Sequence, residues 1–293
     1  MKIGITAITD VGLDRENNED AFVFCPDLAH PDWTLSDTQG YLPLGESGSL
    51  IVIADGMGGT SAGEVASAIA AETISRVFTP EAAAKAAQSE QSAVQLMHEA
   101  VRQANLDINS HIDHQPETAG MGTTIVIVWI VGSKAHVAWC GDSRCYIYNT
   151  QEGLRRLTCD HSYVQELVDQ GQLTADDAFT HPDNNMITRG LGDLEVPANA
   201  DVTTVPVRPN DLLLLCSDGL CGYCRDVDIE RTLKANYRDI TRCRDLLLQQ
   251  ALATGGYDNI CIAIASLIAD DADVPAAPGF LSRLRSGLLG HRS

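Results

Sequence analysis

Ile51-Val52-Ile53-Ala54-Asp55-Gly56-Met57-Gly58-Gly59 starts as an apolar run and ends as a glycine-rich turn. An unbroken apolar run bounded by turn residues reads as a strand covered on both faces. It delivers a carboxylate, Asp55, to the point where glycine takes over. Gly56, Gly58 and Gly59 let the backbone pass close to a ligand or take a positive φ. Ser61-Ala62-Gly63-Glu64 then has the spacing of a capping box and opens an alanine-rich helix. A carboxylate at a strand end beside exposed carbonyls suits a hard cation such as Mg²⁺ or Mn²⁺. Alone, an acidic residue before glycine is more often an ordinary turn, so the reading depends on whether the pattern recurs.

It does recur. Asp211 to Cys216 reads as a strand that hands over to Ser217-Asp218-Gly219-Leu220. Ile125 to Val131 and Ala135 to Cys140 read as a β-branched hairpin turning at Gly132-Ser133, and its second arm ends in Gly141-Asp142-Ser143-Arg144. Gly255-Gly256-Tyr257-Asp258-Asn259 places another carboxylate at the start of the strand Ile260 to Ile268. Strands in neighbouring ladders can bring Asp55, Asp142, Asp218 and Asp258 together. Converging carboxylates repel and raise one another's pKa, and divalent cations remove that repulsion. Oxygen ligands select Mg²⁺ or Mn²⁺ rather than Zn²⁺, which favours Cys and His. Two such ions about 4 Å apart can activate a water and stabilise in-line displacement at phosphorus.

The first strand, Lys2 to Thr9, leads into the charged turn Asp10 to Asp20, and Ala21 to Phe24 is the next strand. In that turn Arg15 can hold a phosphate as a planar fork, and Glu19 and Asp20 can ligate or orient a metal. The plainer alternative is a charged loop whose Arg15 pairs with its neighbours. Pro26 to Ser49 reads as a long loop. Glu64 to Phe78 and Pro80 to about His114 read as helices, the second with a core stripe that includes Met97, Val101 and Ile108. Asp160-His161-Ser162 caps a helix, and Asp160 to Gly192 is either a flap over a site or a plain surface excursion. Asp201 to Val207 is a further strand, and helical patterns follow at Asp226 to Ala235 and Asp239 to Ala253.

The 293 residues, 44% of them hydrophobic, can bury one sizeable core. Twenty Lys+Arg against 40 Asp+Glu leave a formal charge of −20, which argues against a nucleic-acid or anionic-membrane surface. No apolar run approaches the ~20 residues that span a bilayer. The N-terminus runs straight into a strand pattern rather than a signal peptide. Nine cysteines, an odd number and several within apolar runs, read as reduced thiols in a cytoplasmic protein. Cys216, Cys221 and Cys224 have a C-x4-C-x2-C spacing, but Cys216 ends a strand and reads as core; Cys221 and Cys224 are expected to be exposed enough to oxidise.

Seven fragments, in order, carry a resemblance over roughly Lys2 to Ile268. They are Thr9-Asp10-Val11-Gly12…Arg15…Asn18-Glu19-Asp20; Ala54-Asp55-Gly56-Met57-Gly58-Gly59…Gly63-Glu64…Ala66-Ser67; Gly122-Thr123-Thr124; Gly141-Asp142-Ser143-Arg144; Asp160-His161-Ser162; Ser217-Asp218-Gly219-Leu220; and Asp258-Asn259-Ile260. With them the chain resembles the metal-dependent Ser/Thr protein phosphatases of the 2C (PPM) family, bacterial type. The resemblance implies an α+β fold, a four-layer α-β-β-α sandwich of two antiparallel sheets flanked by helices. It implies that Asp55 bridges two metal ions, Mn²⁺ or Mg²⁺, with the Gly56 carbonyl on one of them. Asp218 and Asp258 would hold the other, Glu19 and Asp20 would bind or orient the first ion's water shell, and Asp142 would join Asp218 at a third, weaker site. Arg15 would grip the substrate phosphate, and the nucleophile would be a metal-held water with no phosphoenzyme. The substrates implied are phosphoserine and phosphothreonine proteins, the targets of a cognate Ser/Thr kinase, acted on by a cytoplasmic monomer.

Two departures bear on this. Met57 stands where many eukaryotic members carry a histidine proposed as general acid, which leaves His161 and His181 as the nearest alternatives, each more simply structural. Thr60 stands where bacterial relatives commonly have histidine, outside the ligand set. All the implied ligands are present, which argues against a silent phosphoprotein-binding module; a two-metal phosphoesterase acting on small molecules stays open. The catalytic domain is assigned to residues 1–269. Residues 270–293 read as a linker followed by a short amphipathic helix or a disordered tail.

Overall fold

The strand that contains Asp55 splits its side chains between two cores. Leu50, Val52 and Ala54 face one, while Ile51 and Ile53 face another. A strand's side chains alternate between faces, so burial on both faces turns the expected alternation of polar and apolar residues into an unbroken apolar run. The strand Ile260–Ile268 does the same: Cys261, Ala263, Ala265 and Leu267 enter the core shared with Ile51 and Ile53, and Ile260, Ile262 and Ile264 enter a third.

The structure is a computed structural model that describes residues 1–34, 37–58, 62–192 and 196–271. One six-stranded sheet runs β3 (Leu42–Pro43), β1 (Lys2–Asp10), β13 (Ile260–Ile268), β12 (Leu212–Cys216), β8 (Arg144–Asn149) and β9 (Gly153–Arg156). The other runs β10 (Leu191–Gly192), β5 (Gly122–Thr123), β4 (Ser49–Met57), β6 (Ile125–Val131), β7 (Lys134–Cys140) and β11 (Asp201–Pro206), with β2 (Asp20–Cys25) also paired to β4. Every strand pairing is antiparallel. The middle core lies between the sheets. The first lies between the second sheet and helices α1 (Gly63–Val77), α2 (Pro80–Ala86) and α3 (Glu90–His114). The third lies between the first sheet and helices α6 (Asp218–Cys221), α7 (Asp226–Asn236) and α8 (Ile240–Ala253). Three cores separate four layers, the α-β-β-α order the resemblance implied. Helices α4 (Tyr163–Asp169) and α5 (Ala175–Phe179) belong to the flap.

Local structure departs from the sequence reading in places. Helix α1 is not started by a capping box: its N-cap is Ala62, which makes no side-chain cap, and Ser61 lies outside the described residues. The Glu19 carboxylate, from the loop before β2, sits against the helix start instead, so close that a Cβ on Gly63 would lie 2.8 Å from its Oε2. An acceptor at a helix start needs only to reach the first free N–H groups and favours negative charge there, so a distant carboxylate serves as well as a local one. The helical pattern from Pro80 breaks in two, because Ser89 accepts from the Ser92 N–H and starts α3 afresh. The long loop contributes the short strand β3, and β9 and α5 form where the sequence pattern marks no element. Cys221 and Cys224 are not exposed: they are 1% and 3% accessible, because the turn α6 folds them under α7 and α8. Among the nine free thiols Cys159 alone is exposed. The C-terminal linker and helix lie outside the described residues.

Candidate active site

All the strand-end carboxylates lie at one end of the sandwich, because the strand that ends there in one ladder pairs with one that begins there. Asp10 at the end of β1 pairs with Ile260 at the start of β13, and Cys216 at the end of β12 pairs with Arg144 at the start of β8. Asp20 faces Asp55 directly across the β2–β4 ladder. Like charges opposite each other in an antiparallel pair are destabilising, so this register is held against the electrostatics of its own end.

Backbone fits fix the geometry. A Cβ on Gly56 would lie 2.2 Å from the Gly63 carbonyl oxygen, so glycine is what lets β4 end against the start of α1. A Cβ on Gly219 would lie 1.9 Å from the Asn259 carbonyl, which presses the loop of Asp218 onto the loop of Asp258. Gly12, at φ +77°, passes equally close to the Asp258 carbonyl. Asn259 then ties three segments: its Oδ1 accepts from the Glu19 N–H at 2.8 Å, and its Nδ2 donates to the carbonyls of Val11 and Asn17 at 3.0 and 2.9 Å. Thr123 and Thr124 hold the Asp55 carbonyl, through Oγ1 at 2.9 Å and N–H at 2.8 Å respectively. These positioning residues sit inside the sequence fragments already singled out, but their roles show only once the loops are brought together.

Asp20 and Asp142 are buried, while Asp55, Asp218 and Asp258 reach solvent along one edge. Asp20 Oδ2 accepts from the Ser217 hydroxyl at 2.7 Å. Its Oδ1 is buried and, among the described residues, faces no donor; the Asp55 carboxyl within reach offers a hydrogen only when protonated. Burial, with Asp218 and Asp258 nearby, pushes Asp20 up to about 8. Burial and then Asp20, Asp218, Asp142 and Asp258 push Asp55 well above the usual carboxylate range. Asp142 is raised by burial and by Asp218, and Asp218 rises to about 6 through burial and Asp258. Glu19 is raised by burial, against the pull of Arg15.

These groups fit a divalent cation centre. The donor set is oxygen, one buried carboxylate oxygen is orphaned, and each carboxylate is destabilised as an anion by the others, a cost that a cation removes. Among the described residues no three His, Cys, Asp or Glu side chains form a closed ligand set; the Asp55 carboxyl is turned onto Asp20 and Asp218, an arrangement that protons can sustain and that a cation would replace.

Arg15 stands at the mouth, half-exposed, with its Nη2 donating to Asp258 Oδ2 at 2.9 Å. Its partner is therefore not a neighbour in its own charged turn but a site carboxylate brought in from the loop before β13. Neither histidine belongs to the site. His161 is stacked on Trp139, takes the Gly141 N–H on Nδ1 at 3.2 Å and faces Asp201 through Nε2 at 3.2 Å; burial lowers its pKa. His181 accepts from the Asp183 N–H at 3.1 Å. The flap does roof a site: a cleft of about 430 Å³ runs from Asp142 and Asp218 beneath Val164 and Phe179. Its base is held by Arg144, whose Nε and Nη2 reach Asp160 at 2.6–3.0 Å.

The family profile described as protein phosphatase 2C matches residues 40–253. The chain belongs to the protein phosphatase 2C family. It is a serine/threonine protein phosphatase. The serine/threonine phosphatase stp of Listeria monocytogenes is 33% identical over 228 residues, 78% of this chain and 88% of that protein. The Mycobacterium tuberculosis serine/threonine phosphatase PstP/Ppp superposes with a TM-score of 0.75 at 30% identity, covering 92% of this chain and 100% of that one. The catalytic domain of a PstP in complex with two manganese ions superposes with a TM-score of 0.72 at 29% identity, covering 92% of this chain and 99% of that one. As a member of the protein phosphatase 2C family, this chain shares the two antiparallel sheets with flanking helices seen in those structures.

Proposed function

We propose that this phosphatase removes phosphate from phosphoserine and phosphothreonine side chains of proteins with the help of two divalent cations, Mn²⁺ or Mg²⁺, and opposes a Ser/Thr kinase that acts on the same targets. The observation that carries the reading is the orphaned Oδ1 of Asp20 amid carboxylates raised by one another. Asp55, the Gly56 carbonyl, Asp218 and Asp258 would hold the two ions. Glu19 and Asp20 would complete or orient the shell of the first, and Asp142 with Asp218 would hold a third, weaker ion. Bound there, the cations supply an acidified water as nucleophile and positive charge for the displacement at phosphorus.

The chain's own residues do the rest. Ser217 and Asn259 fix Asp20 and the Glu19 backbone, so the site is preorganised rather than assembled around the ligand. A substrate phosphate, close to a dianion at neutral pH, competes with Asp258 for the fork of Arg15, and the planar guanidinium can present two parallel N–H groups to it. Arg15 thereby holds the phosphorus facing the carboxylate cluster. The enzyme acts as a monomer in the cytoplasm, a placement supported by eight buried free thiols and a charge of −20.

The test is a panel of substrates with purified protein and Mn²⁺: phosphothreonine and phosphoserine peptides, a phosphotyrosine peptide and a small phosphomonoester. Turnover of the first two at kcat/KM at least tenfold above the last two is expected. Preference for the small phosphomonoester would contradict the protein-substrate reading.

A further inference from the structure

The loops at 11–15 and 255–259 are stitched together. The Leu13 N–H donates to the Gly256 carbonyl at 2.7 Å, Asn259 donates to the Val11 carbonyl at 3.0 Å, and Arg15 pairs with Asp258 at 2.9 Å. The stitching places two large apolar side chains in solvent beside the site: Leu13 is 71% accessible and Tyr257 is 54%. The contacts that stitch the loops are backbone, Asn259 and the Arg15–Asp258 pair, and none of them uses the side chain of Leu13 or Tyr257. Tyr223, from the turn after α6, comes in at 5.6 Å between ring centroids to pack on Tyr257. Tyr223 also walls the cleft that contains Asp142 and Asp218, and its hydroxyl feels Asp218 and Asp258. Leu13 lies over Gly256 and the Tyr257 ring over the adjacent Gly255, so the three side chains line one apolar, partly aromatic shelf beside Arg15 and the carboxylates.

We propose that Leu13, Tyr223 and Tyr257 seat a hydrophobic side chain that flanks the phosphorylated residue, so that the enzyme favours phosphosites with an apolar neighbour. This rests on the protein-phosphatase reading. The occupant follows from position: a phosphate held by Arg15 sets its own peptide backbone at the mouth, and the residues within one or two positions of it reach the shelf. The chemistry follows from the surface. A strongly acidic molecule that leaves aliphatic and aromatic carbon exposed at the mouth gains by covering it, and repels acidic flanks. Tyrosine pairs supply large contact area at small entropic cost.

The experiment uses the full-length protein with Mn²⁺ and a set of phosphothreonine peptides in a serine–glycine background. Each peptide carries a single leucine at one position, from three before to three after the phosphothreonine. One or two positions are expected to raise kcat/KM by about five- to tenfold over the leucine-free peptide, mostly through KM, as partial burial of one aliphatic side chain allows. The same ratio is measured within Leu13→Ser and within Tyr257→Ala, so that any general loss of activity or folding cancels. In both variants the leucine preference is expected to fall to within twofold. A flat profile in the wild type overturns the shelf, and so does a preference that survives in both variants. A concentration-dependent dimer that Leu13→Ser dissolves, with no leucine preference, also overturns it, because the shelf would then seat a second copy. Failure to hydrolyse any peptide while p-nitrophenyl phosphate is turned over overturns the protein-phosphatase reading itself, which is a distinct result.

Discussion

Asp20→Asn should make the metal-free protein more stable at pH 8, although it removes a site residue. In the native fold Asp20 is buried, bonded by Ser217 on Oδ2 at 2.7 Å and unpartnered on Oδ1, and its pKa is raised from 3.8 to about 8. The native state therefore binds a proton there that the unfolded chain has released. That contribution to stability is complete below pH 4 and is lost as the pH rises through 8. A rise of about four units corresponds to about 5 kcal/mol. Asp55 and Asp218 can hold the shared proton in its place, so roughly half, about 2–3 kcal/mol, is expected to separate wild type from Asp20→Asn at pH 8. At pH 4 the two should agree within about 1 kcal/mol, since an amide resembles the protonated acid. Urea unfolding in EDTA at pH 4 to 8 measures this, and the difference between the two proteins removes the general repulsion within a chain of charge −20. Adding Mn²⁺ should reverse the order at pH 8, with wild type now the more stable because the cation replaces the proton. A wild type that is more stable than Asp20→Asn at pH 8 without metal would refute the reasoning.

Arg15→Lys should raise KM for a phosphothreonine peptide about tenfold with a smaller change in kcat, because a lysine cannot present the planar fork; steady-state kinetics checks it, and an unchanged KM would remove Arg15 from phosphate binding. Gly219→Ala should cost about 3 kcal/mol or more in urea unfolding, since its methyl would fall 1.9 Å from the Asn259 carbonyl. A tolerated alanine would mean that the two loops part easily. Native-state labelling with a thiol reagent should modify Cys159 first, with Cys221 and Cys224 protected until unfolding: both are buried, and burial pushes Cys224 up to about 11. Rapid labelling of Cys221 would contradict its place beneath α7 and α8.

The strands were legible because a sheet covered on both faces writes itself as an unbroken apolar run, as at Ile51–Ile53 and Leu212–Leu215, and the glycines that follow mark where each run stops. The carboxylates were legible for the same reason, since Asp55, Asp142, Asp218 and Asp258 each stand beside such a run and next to glycine or a turn. What the linear order hid was who meets whom. Glu19 lies against the start of α1 from a loop more than forty residues upstream, Asp20 leans on Ser217, and Asn259 ties residues 11, 17 and 19; no local propensity encodes such contacts. Cys221 and Cys224 misled because they follow the end of a strand with no apolar run of their own, whereas the short helix α6 tucks both under two longer helices. The break before α3 was written in Ser89, a good N-cap that an alanine-rich background obscures.

The most direct measurement is phosphate release from a phosphothreonine peptide while Mn²⁺ is titrated into metal-free protein, for wild type and Asp218→Asn in parallel with bound manganese counted. The account predicts no turnover in EDTA, turnover that rises as two ions bind per chain, and Asp218→Asn that stays folded yet loses nearly all of it. Full turnover in EDTA, or wild-type turnover by Asp218→Asn, would contradict the claim that the carboxylate cluster works by holding divalent cations.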